Sequence, residues 1–397
     1  MGIVQKELLK RNVPDVMENG WNDDIRNKTL DIMQKNEYGY LPPKPIKVEG
    51  KEYESLCDDN CFDGKAIYKK IQVICHLSES DYPWIKKKPE LGSTFVFDIN
   101  CYIPKIAKNI KIPAVIATND REAFDFGTCP ADYLCEKGIA VFNLRYRNLV
   151  NDPVNPNDLH QFEETGLDRF IFGKTMKDLN LNEREPDAPG SISIWAWGVS
   201  RVLDYVETLD FIDLGNVIAA GHSRLGKTVL LAGAMDERFS YIFSNASAGG
   251  GVPLSRGNPS ITMGSLTHLY PRSNEWFCEH AKSYINENYI DHNGKPFDQH
   301  FLVACIAPRK LYVGNASEDE YGEAASEYLA CVAADNVYKY LGCKGFVYPD
   351  RLPLENDKFH EGDIGYHLRP GVHAFTKSDW EMFIEYFEKQ KGETDLP

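Results

Sequence analysis

Residues 216–227 read NVIAAGHSRLGK, and residues 228–234 continue as TVLLAGA. A short apolar run leads straight into Gly221-His222-Ser223, and the residues that follow are the small and apolar ones of a packed helix. The segment therefore reads as strand, tight turn and helix, with a serine at the turn. A serine there exposes its Oγ at the sheet edge, while the helix N-terminus offers unpaired N–H groups and positive potential to a developing oxyanion. Gly221 allows the close backbone approach such a turn needs. The general elbow pattern is G-x-S-x-G, but here the second glycine falls one place later, at Gly226. The plain alternative for Ser223 is a buried turn serine that caps the helix.

Outward from this segment, short apolar runs alternate with longer helical stretches. The runs are 113–118, 139–147, 216–221, 241–246, 310–315 and 345–349, and the helical stretches lie near 192–209, 225–235, 323–341 and 377–391. Such alternation predicts βαβ units and a mostly parallel sheet with helices on both faces. Upstream, 65–77 and 93–104 are rich in β-branched and aromatic residues and read as an antiparallel hairpin or meander. An antiparallel start followed by a parallel remainder predicts an α/β class fold: an α/β-hydrolase three-layer sandwich forming one domain over 1–397. Residues 7–36 look helical and charged, and 38–46 (YGYLPPKPI) form a proline-rich strap, so 1–50 is an N-terminal helical and strap segment. The irregular, polar stretch at about 254–294 reads as an insertion over the carboxyl edge of the sheet, where active-site walls usually arise.

The formal net charge of −15 disfavours nucleic acid and anionic membranes as partners. No apolar run reaches the roughly eighteen residues of a membrane span. The opening MGIVQKELLKRNVPDV lacks the apolar centre of a signal peptide, which predicts a cytoplasmic location, and Lys6 stands where myristoylation needs Ser or Thr. The ten cysteines are scattered and read as reduced thiols; Cys57 and Cys61 have no second pair at zinc-site spacing. No metal or organic cofactor is expected. The oligomeric state stays open.

A nucleophilic serine needs a base, and the base needs an orienting acid. In α/β-hydrolases they follow in the order Ser, Asp or Glu, His. Seven histidines come after Ser223: His268, His280, His292, His300, His360, His367 and His373. His373, in the loop Arg369-Pro370-Gly371-Val372-His373 before the final amphipathic helix, is best placed, with His367 as its competitor. The acid should follow the strand at 310–315, where Glu318, Asp319 and Glu320 stand in a row. Those carboxylates would equally suit an acidic helix N-terminus.

At this point the chain resembles the glucuronoyl esterase family, carbohydrate esterase family 15, particularly its bacterial members. Residues 221–227 (GHSRLGK) look like the family's G-[CH]-S-R-x-G-K nucleophile motif, which accounts for the displaced glycine. Trp195-Ala196-Trp197-Gly198 with Arg201, Gly249-Gly250-Gly251, Trp276-Phe277-Cys278, Ala307-Pro308-Arg309 and Arg369 with His373 and Asp379-Trp380 also match, so the likeness spans roughly 36–380. The resemblance implies Ser223 as nucleophile, His373 as base and Arg224 as an oxyanion-holding residue. It also implies that Lys227 contacts sugar hydroxyls and that Trp276 packs on the sugar ring. Many members carry the acid as a glutamate where this chain has Ala246; other bacterial members resemble this chain in placing it after the later strand, at the position of Asp319, with Glu318 and Glu320 as alternatives. On the oxyanion side, residues 117–120 (ATND) lack the relatives' glycine-rich stretch. The implied activity is carboxylic ester hydrolysis through an acyl-enzyme, on (4-O-methyl-)glucuronoyl esters of a small-molecule or oligosaccharide substrate. An acetyl esterase acting on xylan or xylo-oligosaccharides is the alternative. A silent carbohydrate-binding relative is a third reading, prompted by Ala246.

Overall fold

In the computed structural model, which describes residues 1–120, 128–152, 166–257, 273–284 and 295–394, eleven strands join in one sheet. In chain order they are β1 (Lys47–Glu52), β2 (Asp58–Asn60), β3 (Ala66–His76), β4 (Thr94–Pro104), β5 (Ile112–Asn119), β6 (Ala140–Arg145), β7 (Ile212–His222), β8 (Tyr241–Asn245), β9 (Lys310–Ala316), β10 (Lys358–Phe359) and β11 (Ile364–Arg369). Their spatial order is β1-β3-β4-β6-β5-β7-β8-β9-β11-β10, with β2 beside β3. β1, β3, β4 and β6 pair antiparallel. From β6 through β5, β7, β8 and β9 to β11 every pair is parallel, and β10 closes the far side antiparallel to β11.

The two-residue period of a strand sends neighbouring side chains to opposite faces, and both faces of this sheet are buried. Ile116, Ala219 and Ile242 enter one core with the helices Ser191–Val206, Arg224–Met235 and Ala324–Tyr340. Val115, Ala117, Ile218, Ala220 and Phe243 enter the other, against the helices Ala131–Glu136 and Lys377–Thr394. Helix, sheet and helix make the three layers, and the fold is of the α/β-hydrolase type. A strand buried on both faces reads as a continuous apolar run, which is why β5 and β7 stand out in the sequence.

The structure departs from expectation in three places. Residues 345–349 make no strand; Phe346 forms only a single parallel bridge to Ile364. The last parallel strand is instead β11, IGYHLR, whose glycine and buried histidine break the apolar signal. β1 escapes the sequence reading because KVEGKE is polar and has no buried residue at the sheet's edge. The helical stretch expected at 7–36 is broken by a turn containing Pro14 into Ile3–Lys10 and Asp23–Met33, the second continuing into a π-helical turn at Gln34–Tyr38. Of the expected insertion at 254–294, residues 258–272 and 285–294 lie outside the described residues, and Asn274–Trp276 and Glu279–Tyr284 are short 3-10 turns. No helix among the described residues is long and apolar enough to cross a membrane.

One buried ion pair ties the N-terminal helical segment, just before the strap, to the chain that returns from this region. Glu37 and Lys295 meet at 2.7 Å with side chains 2% and 1% exposed, and Gln299 donates to the other carboxylate oxygen. Removing one partner of such a pair leaves an uncompensated buried charge. Lys295→Met is therefore expected to cost about 3–5 kcal/mol, seen as a lower urea midpoint, and adding Glu37→Leu should recover part of it. A midpoint unchanged in the single variant would contradict the buried pair.

Candidate active site

Ser223 follows β7 directly and caps the helix Arg224–Met235 with φ 57° and ψ −124°. Positive φ is uncommon for a residue with a side chain, and it is held here from both sides. The Ser223 N–H donates to the Asn245 carbonyl at 2.9 Å, and the Ser223 carbonyl accepts from the Lys227 N–H at 3.2 Å. Both motif glycines are required by close approach. A Cβ on Gly221 would lie 2.9 Å from Thr118 Oγ1 and press into the Leu225 carbonyl. A Cβ on Gly226 would lie 2.9 Å from the Asn245 oxygen and 3.0 Å from Ser247 Cβ. The displaced second glycine is thus where the helix crosses the end of β8.

The acid and the base come from the loops after β9 and β11, adjacent parallel strands that end at the same edge as β7. Two backbone bonds join these loops: Ser317 N–H to the Arg369 carbonyl at 2.8 Å and Glu318 N–H to the Gly371 carbonyl at 2.9 Å. His373 Nδ1 lies 2.7 Å from Asp319 Oδ2. Asp319 Oδ1 accepts from the Tyr321 and Gly322 N–H groups at 2.8 and 2.9 Å. Burial pushes the Asp319 carboxyl up, but the bond and charge of His373 and these two N–H groups outweigh it and hold it below its ordinary value. Glu318 and Glu320 are exposed. The His373 ring packs on His222, at 4.5 Å, and on Tyr321, at 4.9 Å between ring centroids. His222 is the residue before Ser223, so base and nucleophile share one end of the sheet.

His367, the competitor, is buried with both ring nitrogens engaged: Nε2 with Asp379 Oδ1 at 2.9 Å and Nδ1 with the Tyr312 hydroxyl at 3.0 Å. It forms a second His–Asp pair inside the protein with no nitrogen left for a serine. Asp379 also holds Arg369 Nε at 2.8 and 2.9 Å, and Arg369 Nη2 donates to the Val372 and Ala374 carbonyls, which shapes the His373 loop. His300 and His360 are buried and bonded to the Pro14 carbonyl and the Tyr312 hydroxyl. His280 bonds the Lys35 carbonyl, and His268 and His292 lie outside the described residues.

Arg224 begins the nucleophile helix, and its guanidinium rests 4.9 Å over the Trp276 ring while Nη1 donates to Asp152 Oδ2. Asp152 is wholly buried and also accepts from the Tyr146 hydroxyl at 2.7 Å and Trp276 Nε1 at 3.0 Å. Burial pushes its carboxyl up, yet the Arg224 charge and these bonds keep it below the ordinary value. Nothing in the sequence around Asn151-Asp152 marks this carboxylate; of its partners, Arg224 and Trp276 come from 72 and 124 residues away. Trp276 corrects an expectation: the ring is 3% exposed, so it backs Arg224 and offers no open face to a sugar. Lys227 is likewise buried, and its ammonium donates to the Ser247 carbonyl. Burial, with the Arg224 charge, lowers it to about 7. Nearby, Glu327 accepts from the Ser247 N–H and Asn315 Nδ2, and burial with the Asp319 charge pushes it up to about 8. The expected acid position of relatives, Ala246, is buried at the end of β8, its N–H bonded to the Gly314 carbonyl. On the far side, Asp120 after β5 accepts from Arg147 Nε at 2.5 Å, and 121–127 lie outside the described residues. Among the described residues no group of His, Cys, Asp or Glu is arranged to hold a metal ion.

Comparison with known proteins places this site in context. A family described as glucuronyl esterase, fungi, matches residues 180–342. Carbohydrate esterase MZ0003, from an unknown prokaryotic organism, is 29% identical across 96% of this chain and 90% of its own length. The 4-O-methyl-glucuronoyl methylesterase 1 of Wolfiporia cocos (strain MD-104) is 32% identical across 81% of this chain and 67% of its own. The solved glucuronoyl esterase from Solibacter usitatus superposes with a TM-score of 0.77 at 25% identity, covering 95% of this chain and 97% of that one.

The Asp152 arrangement generates a prediction. Asp152→Ala strands the Tyr146, Trp276 and Arg224 donors and frees the guanidinium. It should lower kcat for ester hydrolysis about 10²-fold, near the loss of an oxyanion donor, with KM changed far less. Asp152→Asn keeps an acceptor and should fall between. Steady-state kinetics on folded variants checks this, and unchanged kcat in Asp152→Ala would remove Arg224 from the oxyanion assignment.

Proposed function

The chain belongs to the glucuronoyl esterase family, carbohydrate esterase family 15, and from that premise we propose that it hydrolyses glucuronoyl esters through a Ser223 acyl-enzyme. The observation that carries the reading is the 2.7 Å contact of His373 Nδ1 with Asp319 Oδ2, beside the elbow that presents Ser223.

In this mechanism Asp319 accepts the His373 Nδ1–H, which leaves Nε2 as the proton acceptor. As Ser223 Oγ attacks the ester carbonyl, its proton passes to His373 Nε2. Negative charge gathers on the carbonyl oxygen, where the first N–H groups of the helix at Arg224 and the Arg224 guanidinium stabilise it. The tetrahedral intermediate expels the alcohol, which takes the proton back from His373. Water then enters, gives a proton to His373 and attacks the acyl carbon. Collapse releases the uronic acid and returns the proton to Ser223. Asp319 takes the place of a glutamate at Ala246, so the alanine there need not signal a silent protein.

The acyl group is the substrate-level part of the proposal. Relatives named for 4-O-methyl-glucuronoyl methyl esters favour a uronate ester over the acetyl alternative. Methyl glucuronate should be turned over with the higher kcat/KM when compared with 4-nitrophenyl acetate, and the reverse order would favour an acetyl esterase. Among the three neighbouring acids, only Asp319→Ala should lower kcat strongly, by about 10²-fold or more, as befits loss of the group that sets a base's tautomer. Glu318→Ala and Glu320→Ala should stay within about threefold, because single surface changes away from such features have small effects. A comparable loss in either glutamate variant would misassign the acid.

A further inference from the structure

A line of hydrogen bonds runs from buried Asp379 through Asn245 to His222, whose ring packs on the base, without passing through Asp319. Asn245 sits at its centre, at the end of β8. Its carbonyl accepts the Ser223 N–H at 2.9 Å. Its side-chain Nδ2 donates to Asp379 Oδ1 at 3.2 Å, and its Oδ1 lies 2.7 Å from His222 Nδ1. The His222 ring then packs against His373 at 4.5 Å, with Phe375 stacked at 5.7 Å. Space for the amide comes from β9: a Cβ on Gly314 would lie 2.6 Å from Asn245 Nδ2.

This line fixes the position of a proton. Asp379 is ionised: burial pushes it up, but His367, Thr376 and Arg369 hold it down at about 2. An ionised carboxylate only accepts hydrogen bonds. The amide must therefore turn its NH₂ to Asp379 and its oxygen to His222. An amide oxygen cannot donate, so His222 Nδ1 carries the hydrogen. Burial, with the nearby His373, lowers His222 to about 3, so the ring is neutral and Nε2 is bare. The amide spacer transmits orientation from the Asp379 anion without placing that charge on the imidazole. A carboxylate bonded directly to His222 would favour the imidazolium instead.

We propose that His222 is a positioning residue for His373: a neutral ring of fixed tautomer, set by Asp379 through Asn245, that forms one wall of the slot holding the base. Tyr321 packs on the same ring at 4.9 Å, and the Asp319 bond fixes the ring's rotation. Neutrality matters because His373 becomes a cation during the proposed reaction, and a second cation at this separation would oppose it. His373, Asp319 and Asp379 are the charged or titratable groups that act on His222. Asn245 thereby joins the backbone of the nucleophile to the ring beside the base. The inference rests on the esterase reading only for its catalytic consequence.

The test has two independent arms. Protein labelled with ¹⁵N-histidine is examined by long-range ¹H–¹⁵N correlation between pH 5 and 8, with the His222 signals identified by their loss in His222→Phe. Nδ1 protonated and Nε2 bare throughout is the expected result. A proton on Nε2, or titration of the ring within that range, would overturn the assignment whatever the enzyme hydrolyses. In the second arm, His222→Ala should lower kcat about tenfold or more with KM within about threefold, since small misplacements of a reacting group have such costs. His222→Phe, which keeps a neutral ring against His373, should restore most of kcat. Undiminished kcat in His222→Ala, or equal losses in both folded variants, would overturn the seating role. Failure of the esterase reading is separately visible, as turnover that persists in Ser223→Ala.

Discussion

The bond between His373 and Asp319 is the interaction on which the rest of this site depends, and it exists because two loops are zipped together at the backbone. Ser317 and Glu318 donate to the carbonyls of Arg369 and Gly371, so the acid loop is registered on the base loop before any side chain is considered. Arg369 curls under the second loop and is itself anchored by Asp379. Acid and base are thus carried by adjacent parallel strands, and the nucleophile by a third strand two places along the same sheet. Parallel strands end at one edge, and three loops at that edge can converge without a long connection.

Close packing supplies the other constraint. Ser223 keeps a conformation that costs free energy, and it does so because the helix after it crosses the neighbouring strands too closely for a side chain at Gly221 or Gly226. The structure around the elbow over-determines it. Two His–Asp pairs then lie in the same fold with different fates. His367–Asp379 is sealed in and serves as scaffold, while His373–Asp319 has one ring nitrogen committed and the imidazole 19% exposed. Identical chemistry is separated by burial and by the count of occupied nitrogens.

Much of the architecture was legible because strands buried on both faces leave unbroken apolar runs: β5, β7, β8 and β9 all overlap expected segments, with β7 starting four residues earlier, and the elbow is readable from Gly221, Ser223 and Gly226. β11 was hidden by the polar side chain of His367, whose burial is compensated only by residues far away in sequence. The choice among Glu318, Asp319 and Glu320 could not be read from three carboxylates in a row, since it depends on which one the turn directs inward. Asp152, Asn245 and Asp379 were invisible as site residues for the same reason. Each is an ordinary polar residue until the fold brings its donors to it. Trp276 shows the converse: a motif match identified a residue near the site, but its burial beneath Arg224 gives it a supporting role.

The central claim is that a hydroxyl at Ser223 is made nucleophilic by His373. Incubation of the full chain with a fluorophosphonate, followed by peptide mass spectrometry, tests it most directly. The account predicts a single adduct on the peptide containing Ser223 that is lost in folded His373→Ala. Ester hydrolysis that persists while Ser223 stays unlabelled, or an adduct on another serine, would contradict it.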